Sequence, residues 1–147
     1  MQTITPFLWF DGKAEEAMNF YLSVFKNSTV TNVARGPNGS VMSATFELDG
    51  QKFMALNGGP MFSFTPAVSF FVNCDTQQEV DELWEKLSDG GKKERCGWLK
   101  DKFGLSWQVV PSVLGTLLQD TDAAKRKRVM TAMLQMDKLD IEQLTHA

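Results

Sequence analysis

The stretches TPFLWF at residues 5–10 and AVSFFV at residues 67–72 decide the fold of this chain. Each is an extended apolar run, and each leads into a helical pattern, at residues 14–24 in the first half and at residues 80–87 in the second. Short strand-like stretches separated by glycines follow both helical patterns. Two similar units of this kind indicate a duplicated module, and a sheet surface shared by the two modules is where a small ligand would bind.

The composition restricts the class of protein. With 147 residues, of which 43% are hydrophobic and 22% charged, the chain is predicted to be one globular domain. Its formal net charge of -3 and pI ≈ 5.1 argue against a nucleic-acid partner, because neutralising phosphates requires a basic surface. No apolar run has the roughly 18 residues of a membrane span, and the N-terminus lacks the pattern of a signal peptide. Cys74 and Cys96 show neither metal-ligand nor redox spacing, so we expect reduced thiols in a cytoplasmic protein.

The first half contains one helical and four strand-like patterns. The strands are predicted at residues 3–10, 29–35, 41–48 and 52–57, and the helix ends near Phe25. Asp11 is expected to cap this helix. Alternate residues from Met42 to Leu48 are expected to point to one face, and Asp49-Gly50 favours a tight hairpin.

The second half repeats this order. Its strands are predicted at residues 66–73, 92–96, 97–101 and 104–110, and its helix at residues 76–88. Asp75 and Gln78 resemble a capping box for that helix. The predicted modules are therefore residues 1–60 and 61–111, followed within the same domain by a helical tail at residues 112–147.

Four runs of the sequence resemble those of one known family. They are ITPFLWF (4–10), NFY (19–21), ALNGGP (55–60) and CGWLKDKFGLSWQ (96–108). These runs are similar to the PhnB-like branch of the vicinal oxygen chelate (glyoxalase/bleomycin-resistance/dioxygenase) superfamily, and the resemblance extends over nearly the whole chain, including the tail. Many members carry the name 3-demethylubiquinone-9 3-methyltransferase. The resemblance implies an α+β fold of two βαβββ modules that form a curved sheet around a shared cavity, commonly in a homodimer.

The resemblance also implies a metal site, but the ligand positions are altered here. Superfamily enzymes hold a divalent metal with His, Glu or Gln at four positions. These positions correspond to Thr5, Phe53, Ala67 and Gln108. Thr, Phe and Ala side chains cannot form a tight divalent site, and the neighbouring residues supply no His or Glu either. We therefore expect no metal and no cofactor.

The methyltransferase name of the family has no support in the residues. An S-adenosylmethionine site is usually built on a Gly-rich turn that follows the first strand. Here that strand leads into Asp11-Gly12-Lys13, which contains a single glycine. We therefore expect that the chain does not bind S-adenosylmethionine.

Four residues are candidate ligand contacts: Trp9, Ser69, Trp107 and Gln108. Trp9 and Ser69 lie on the opening strands of the two modules, in phase with the altered ligand positions. Gln108 occupies the last of those positions. Trp107 points to the opposite face if its strand is regular, and an aromatic wall of Trp9, Trp98 and Trp107 is a further interpretation.

Three hypotheses for function follow, and no catalytic residue is assigned. The first is metal-independent binding of a small, largely apolar molecule in the cavity between the modules. The second is a superfamily enzyme with a degenerate metal site, which uses Gln108 with Ser69 or Asn57 to polarise a substrate oxygen. The third is a structural or regulatory dimer with a filled cavity. We expect a homodimer because the Met-rich tail carries an apolar surface that one small domain does not bury alone.

Overall fold

The computed structural model describes residues 3–147, and the chain divides into two compact units between Ser63 and Phe64. The elements of the first unit are β1 (Phe7–Phe10), α1 (Ala14–Val24), β2 (Ser28–Arg35), β3 (Val41–Leu48) and β4 (Gln51–Asn57). They form one four-stranded sheet in the order β1-β4-β3-β2, in which β1 is parallel to β4 and the other pairs are antiparallel. This is the predicted βαβββ module.

The core of the first unit lies between α1 and one face of its sheet. The buried residues of the helix are Ala14, Ala17, Met18, Tyr21 and Val24. Buried strand residues on the facing side include Leu8, Phe10, Phe46 and Phe53. The apolar spacing of α1 matches this burial, which explains why the sequence forms a helix here.

The expected alternation in β3 is wrong at Met42. Ala44, Phe46 and Leu48 are buried as predicted, but the side chain of Met42 is 57% exposed and Val41 is buried instead. The pairing of β2 with β3 shifts by one residue between Ala34 and Arg35. The resulting β-bulge at Met42 reverses the inward and outward positions beyond it.

The N-terminus of α1 is capped from another strand. The backbone N–H of Ala14 donates to Asn57 Oδ1 at 2.9 Å, and Asn57 Nδ2 donates to the Val41 carbonyl at 2.9 Å. The N-cap position is Lys13, whose side chain makes no capping hydrogen bond. The prediction that Asp11 caps this helix is therefore wrong, because an amide distant in sequence satisfies the free N–H.

The second unit repeats the module. Its elements are β5 (Ser69–Cys74), α2 (Gln77–Ser88), β6 (Lys92–Lys93), β7 (Trp98–Lys100) and β8 (Ser106–Pro111). The strand order β5-β8-β7-β6, with β5 parallel to β8, matches that of the first unit. The α+β fold of two βαβββ modules is therefore confirmed.

The capping box of α2 lies one residue from its predicted position. Thr76 Oγ1 accepts from the N–H of Glu79 at 3.2 Å, and the carboxylate of Glu79 accepts from the N–H of Asp75 at 3.2 Å. Thr76 and Glu79 thus take the roles predicted for Asp75 and Gln78.

The tail forms three helices in the second unit, namely α3 (Ser112–Leu117), α4 (Ala123–Leu134) and α5 (Ile141–Thr145). They share a buried cluster with the end of β8, and its members are Val110, Leu114, Leu117, Val129, Leu139 and Leu144. Met133 and Met136 pack against this cluster, whereas Met130 is 41% exposed. The tail therefore covers one end of the second sheet. None of the described helices is long and apolar enough to cross a bilayer.

Polar contacts fix the tail to α2. Gln77 Nε2 donates to the Leu139 carbonyl at 3.0 Å, and Gln77 Oε1 accepts from the N–H of Ile141 at 2.7 Å. Lys138 Nζ lies 2.9 Å from Asp81 Oδ1. Both side chains of this ion pair are partly exposed to solvent, which weakens it, so the buried cluster and the Gln77 bonds supply most of the attachment.

Candidate functional site

The second sheet has one face toward α2 and one face away from it. Lys93 Nζ lies 2.9 Å from Glu85 Oε1 of α2, and the adjacent Leu99 is fully buried, so these strand positions face the helix. Residues that alternate with them point the other way. We call this other side the distal face. Its residues are Ser69, Phe71, Asn73, Lys92, Trp98, Lys100, Ser106, Gln108 and Val110.

Gln108 lies between two aromatic residues on the distal face. It pairs with Phe71 of β5 on one side and with Trp98 of β7 on the other. The side chain of Phe71 is 54% exposed, while Trp98 and Gln108 are half-buried. The three side chains form a row across the sheet in which one amide is flanked by two apolar surfaces, and we call it the aromatic row.

Ser69 holds the amide of Gln108. Gln108 Nε2 donates to Ser69 Oγ at 3.0 Å. Within residues 3–147 that the structure describes, Gln108 Oε1 has no hydrogen-bond partner, and the Ser69 hydroxyl donates to no acceptor. The pair therefore leaves one acceptor and one donor for a ligand.

Trp107 lies on the helix side of the sheet. Its indole Nε1 donates to Asp101 Oδ2 at 2.9 Å, its ring centroid is 5.5 Å from that of Phe70, and only 2% of the residue is exposed. The structure thus brings together Ser69 and Gln108 of the predicted set but does not bring Trp107 to them. The tryptophan beside Gln108 is Trp98.

Two neighbours of Gln108 were absent from the four predicted contacts. Trp98 does not follow from the sequence, because counting outward from a turn at residues 101–104 places Trp98 opposite Trp107, whereas the structure pairs Trp98 with Gln108. Phe71 follows from alternation, because it lies two residues beyond Ser69 on the same strand.

Asp101 organises the turn between β7 and β8. Its Oδ1 accepts from the N–H groups of Phe103 at 2.8 Å and Leu105 at 3.1 Å, and its Oδ2 accepts from Trp107. The residue is 2% exposed. These hydrogen bonds compensate the cost of burying the Asp101 carboxylate. The KDKFGLSW part of the run CGWLKDKFGLSWQ is therefore explained as a structural motif.

Trp9 belongs to the first unit and is described with it. Its Nε1 donates to the Gly59 carbonyl at 2.9 Å, and its ring meets that of Phe62 edge to face at 4.9 Å. A Cβ at Gly58 would lie 2.4 Å from the indole, so only glycine permits this close approach. The loop after β4 thus fixes the orientation of Trp9.

The residues at the implied metal positions do not fit a divalent ion. Phe53 is 5% exposed and stacks on Phe46 with ring centroids 5.7 Å apart, so it faces the core of the first unit. Thr5 and Ala67 offer at most one hydroxyl, and Gln108 offers one amide oxygen. Among residues 3–147, no three or more His, Cys, Asp or Glu side chains cluster as a metal site would require.

Both cysteines are unpaired, and neither is part of the distal face. Burial, together with the carboxylates of Glu79 and Asp75, raises the pKa of Cys74 from 9.0 to about 11. The thiol of Cys74 is therefore protonated at neutral pH and a poor nucleophile. Cys96 is half-buried and adopts a φ of 60° in the loop before β7.

Comparison with known proteins identifies the family. A family model described as 3-demethylubiquinone-9 3-methyltransferase matches residues 2–110, which leaves the tail outside the matched range. A solved structure of a PhnB protein from Bacillus cereus is 41% identical, covers 76% of this chain and 100% of its own, and has a TM-score of 0.72. Protein PA1353 from Pseudomonas aeruginosa is 21% identical over 76% of this chain and 98% of its own, with a TM-score of 0.64.

A more distant structure has the same fold. The fosfomycin resistance protein FosX from Listeria monocytogenes is 15% identical over 73% of this chain and 90% of its own, with a TM-score of 0.54. No curated protein matches the chain significantly. The chain belongs to the 3-demethylubiquinone-9 3-methyltransferase family, in the PhnB-like branch of the vicinal oxygen chelate superfamily.

Proposed function

We propose that this protein binds a small, largely apolar molecule on the distal face of the second sheet, without a metal. The observation that carries the proposal is the Gln108 amide, which Ser69 holds between Phe71 and Trp98. A planar ligand stacked along the aromatic row would gain most of its affinity from apolar burial. A polar atom of the ligand would bond to Gln108 Oε1 or to the Ser69 hydroxyl and so fix its orientation.

The donor chemistry supports binding more directly than catalysis. An amide and a hydroxyl do not titrate near neutral pH, so Gln108 and Ser69 alone supply no general base. The alternative hypothesis, a superfamily enzyme with a degenerate metal site, uses Gln108 with Ser69 or Asn57 to polarise a substrate oxygen. Both ends of the Asn57 amide bond to the backbone of the first unit, to Ala14 and Val41, so that side chain is engaged in structure.

The name of the family does not establish a methyltransferase activity for this chain. In the structure the end of β1 leads to α1 through Asp11 to Lys13, and the free N–H at the helix start is satisfied by Asn57. This arrangement lacks the Gly-rich turn that cradles a nucleotide-like cofactor. We therefore propose that the protein does not use S-adenosylmethionine.

The proposal also covers the oligomeric state and the cellular compartment of the protein. We propose a homodimer, as the superfamily resemblance implies, and a cytoplasmic protein, because both cysteines are free. Trp9 remains a predicted ligand contact.

Chemical-shift mapping tests the binding site with 2-naphthol, a neutral planar probe that carries one hydroxyl. We expect 2-naphthol to shift the indole N–H signal of Trp98 and the side-chain amide of Gln108, and to leave the indole signal of Trp107 nearly unchanged. Shifts confined to residues outside the distal face would contradict the proposed site.

A further inference from the structure

A second row of residues crosses the distal face beside the aromatic row. Lys92 of β6 pairs with Lys100 of β7, Lys100 pairs with Ser106 of β8, and Ser106 pairs with Ser69 of β5. Paired residues on adjacent strands point to the same side of a sheet. We call this set, which crosses all strands of the second sheet, the cationic row.

The two lysines of the cationic row have no counter-ion among the residues that the structure describes. Lys93, on the other face, pairs with Glu85, whereas neither Lys92 nor Lys100 forms an ion pair with any residue between 3 and 147. Like charges placed directly opposite on adjacent strands destabilise a sheet. An anion bound beside them would remove that cost.

An unsatisfied hydroxyl lies next to Lys100 in the same row. Ser106 is fully buried, and its Oγ has no hydrogen-bond partner among the described residues. A buried hydroxyl without a partner is unfavourable and rare. A ligand oxygen placed between Lys100 and Ser69 would give the Ser106 hydroxyl the acceptor that it lacks.

We propose that the ligand of the distal face carries an oxyanion, such as a carboxylate or a phosphate, held by Lys100, Ser106 and Ser69. Lys92 adds a second positive charge at the outer end of the row. One ammonium and two hydroxyls provide several donors to the anion, and hydrogen bonds to a charged acceptor are the strong ones. This inference rests on the proposed function and names the class of its ligand.

The spacing of the two rows defines the shape of that ligand. Ser69 and Phe71, like Ser106 and Gln108, are two residues apart on their strands. Such positions are separated by about 7 Å along a strand. A planar ring on the aromatic row can therefore place a directly attached carboxylate near the cationic row. The geometry favours an aryl acid or an aryl phosphate.

Calorimetry with a matched pair of probes tests this inference at pH 7 and low salt. The probes are 2-naphthoate, which carries a carboxylate, and 2-naphthol, which has the same rings without the charge. We expect 2-naphthoate to bind about tenfold more tightly, because bonds to a charged acceptor contribute more.

Lys100→Gln should abolish that preference for 2-naphthoate, and Lys92→Gln should reduce it, while both variants retain 2-naphthol binding. High salt should also reduce the preference.

Controls separate this inference from the proposed function. Lys127→Gln alters an exposed lysine of α4 and should keep the full preference. If 2-naphthol binds but 2-naphthoate binds no more tightly, or if Lys100→Gln leaves the preference intact, the oxyanion site is wrong and the apolar site stands. If neither probe binds, both proposals are overturned. Thermal melting of each variant establishes that its fold is unchanged.

Discussion

Trp107 and Gln108 are neighbours in sequence, and their side chains bond on opposite faces of β8. The indole of Trp107 donates to Asp101 on the helix side, whereas the amide of Gln108 donates to Ser69 on the distal side. Strand β8 thus places Trp107 in the core and places the next residue, the candidate ligand contact Gln108, on the opposite face.

This division predicts separate effects for two tryptophans. Trp107→Phe removes one of the donors to the buried carboxylate of Asp101, so the free energy of unfolding should fall by about 1–3 kcal/mol. Trp98→Phe should change stability less and weaken 2-naphthol binding more. Urea denaturation and calorimetry measure the two quantities. Equal losses of stability in both variants would contradict the assignment of Trp107 to the core.

The cap of α1 gives a second prediction. Asn57→Ala should lower the free energy of unfolding by about 1–2 kcal/mol, because the N–H of Ala14 and the carbonyl of Val41 both lose their partner. Asp11→Ala should stay within about 0.5 kcal/mol of the parent, as for most surface substitutions. Urea denaturation of both variants distinguishes the observed cap from the one expected from sequence, and a larger loss for Asp11→Ala would reverse the assignment.

The raised pKa of Cys74 predicts a loss of stability at alkaline pH. Because burial raises this pKa to about 11 from 9.0, the folded state retains the thiol proton at pH values where the unfolded chain has released it. The stabilising contribution is fully present below pH 9.0 and is lost as the pH rises toward about 11. Denaturation across this window should show a shallower decline for Cys74→Ala. An identical decline in parent and variant would show that other groups cause it.

The proposed homodimer is tested by the mass of the protein in solution. Light scattering should give about twice the 16.5 kDa of one chain. Met133 and Met136 pack inside the tail, so the apolar surface that α4 leaves exposed is centred on Met130 and Leu134. If that surface forms the contact, Met130→Lys with Leu134→Lys should yield the monomer. A parent mass near 16.5 kDa would refute the homodimer.

The order of elements was predictable because local signals agree with the fold. The duplicated strand and helix patterns gave both modules, and Asp49-Gly50 forms the expected turn, with positive φ at both residues. The exceptions depend on distant partners. The bulge at Met42 requires the pairing with β2, and the cap of α1 comes from Asn57, which is 43 residues away from Ala14. Propensity within a short window contains no information on either feature.

The candidate site was predictable in part for a similar reason. Gln108 and Ser69 followed from the alternation of strands and from the superfamily positions, and the structure joins them by a hydrogen bond. The cationic row was missed because its members come from four different strands. Such a row exists only once the register is known, and the short strand β6 has too little pattern to fix its register from sequence.

The most direct test of the account is the affinity of 2-naphthol for Gln108→Leu. If the amide of Gln108 orients the ligand, calorimetry should show binding weakened by about 1–3 kcal/mol, with the free energy of unfolding unchanged. Gln78→Leu makes the same substitution at an exposed position of α2 and should bind like the parent. Unchanged affinity in Gln108→Leu would contradict the central claim that the distal face is a binding site.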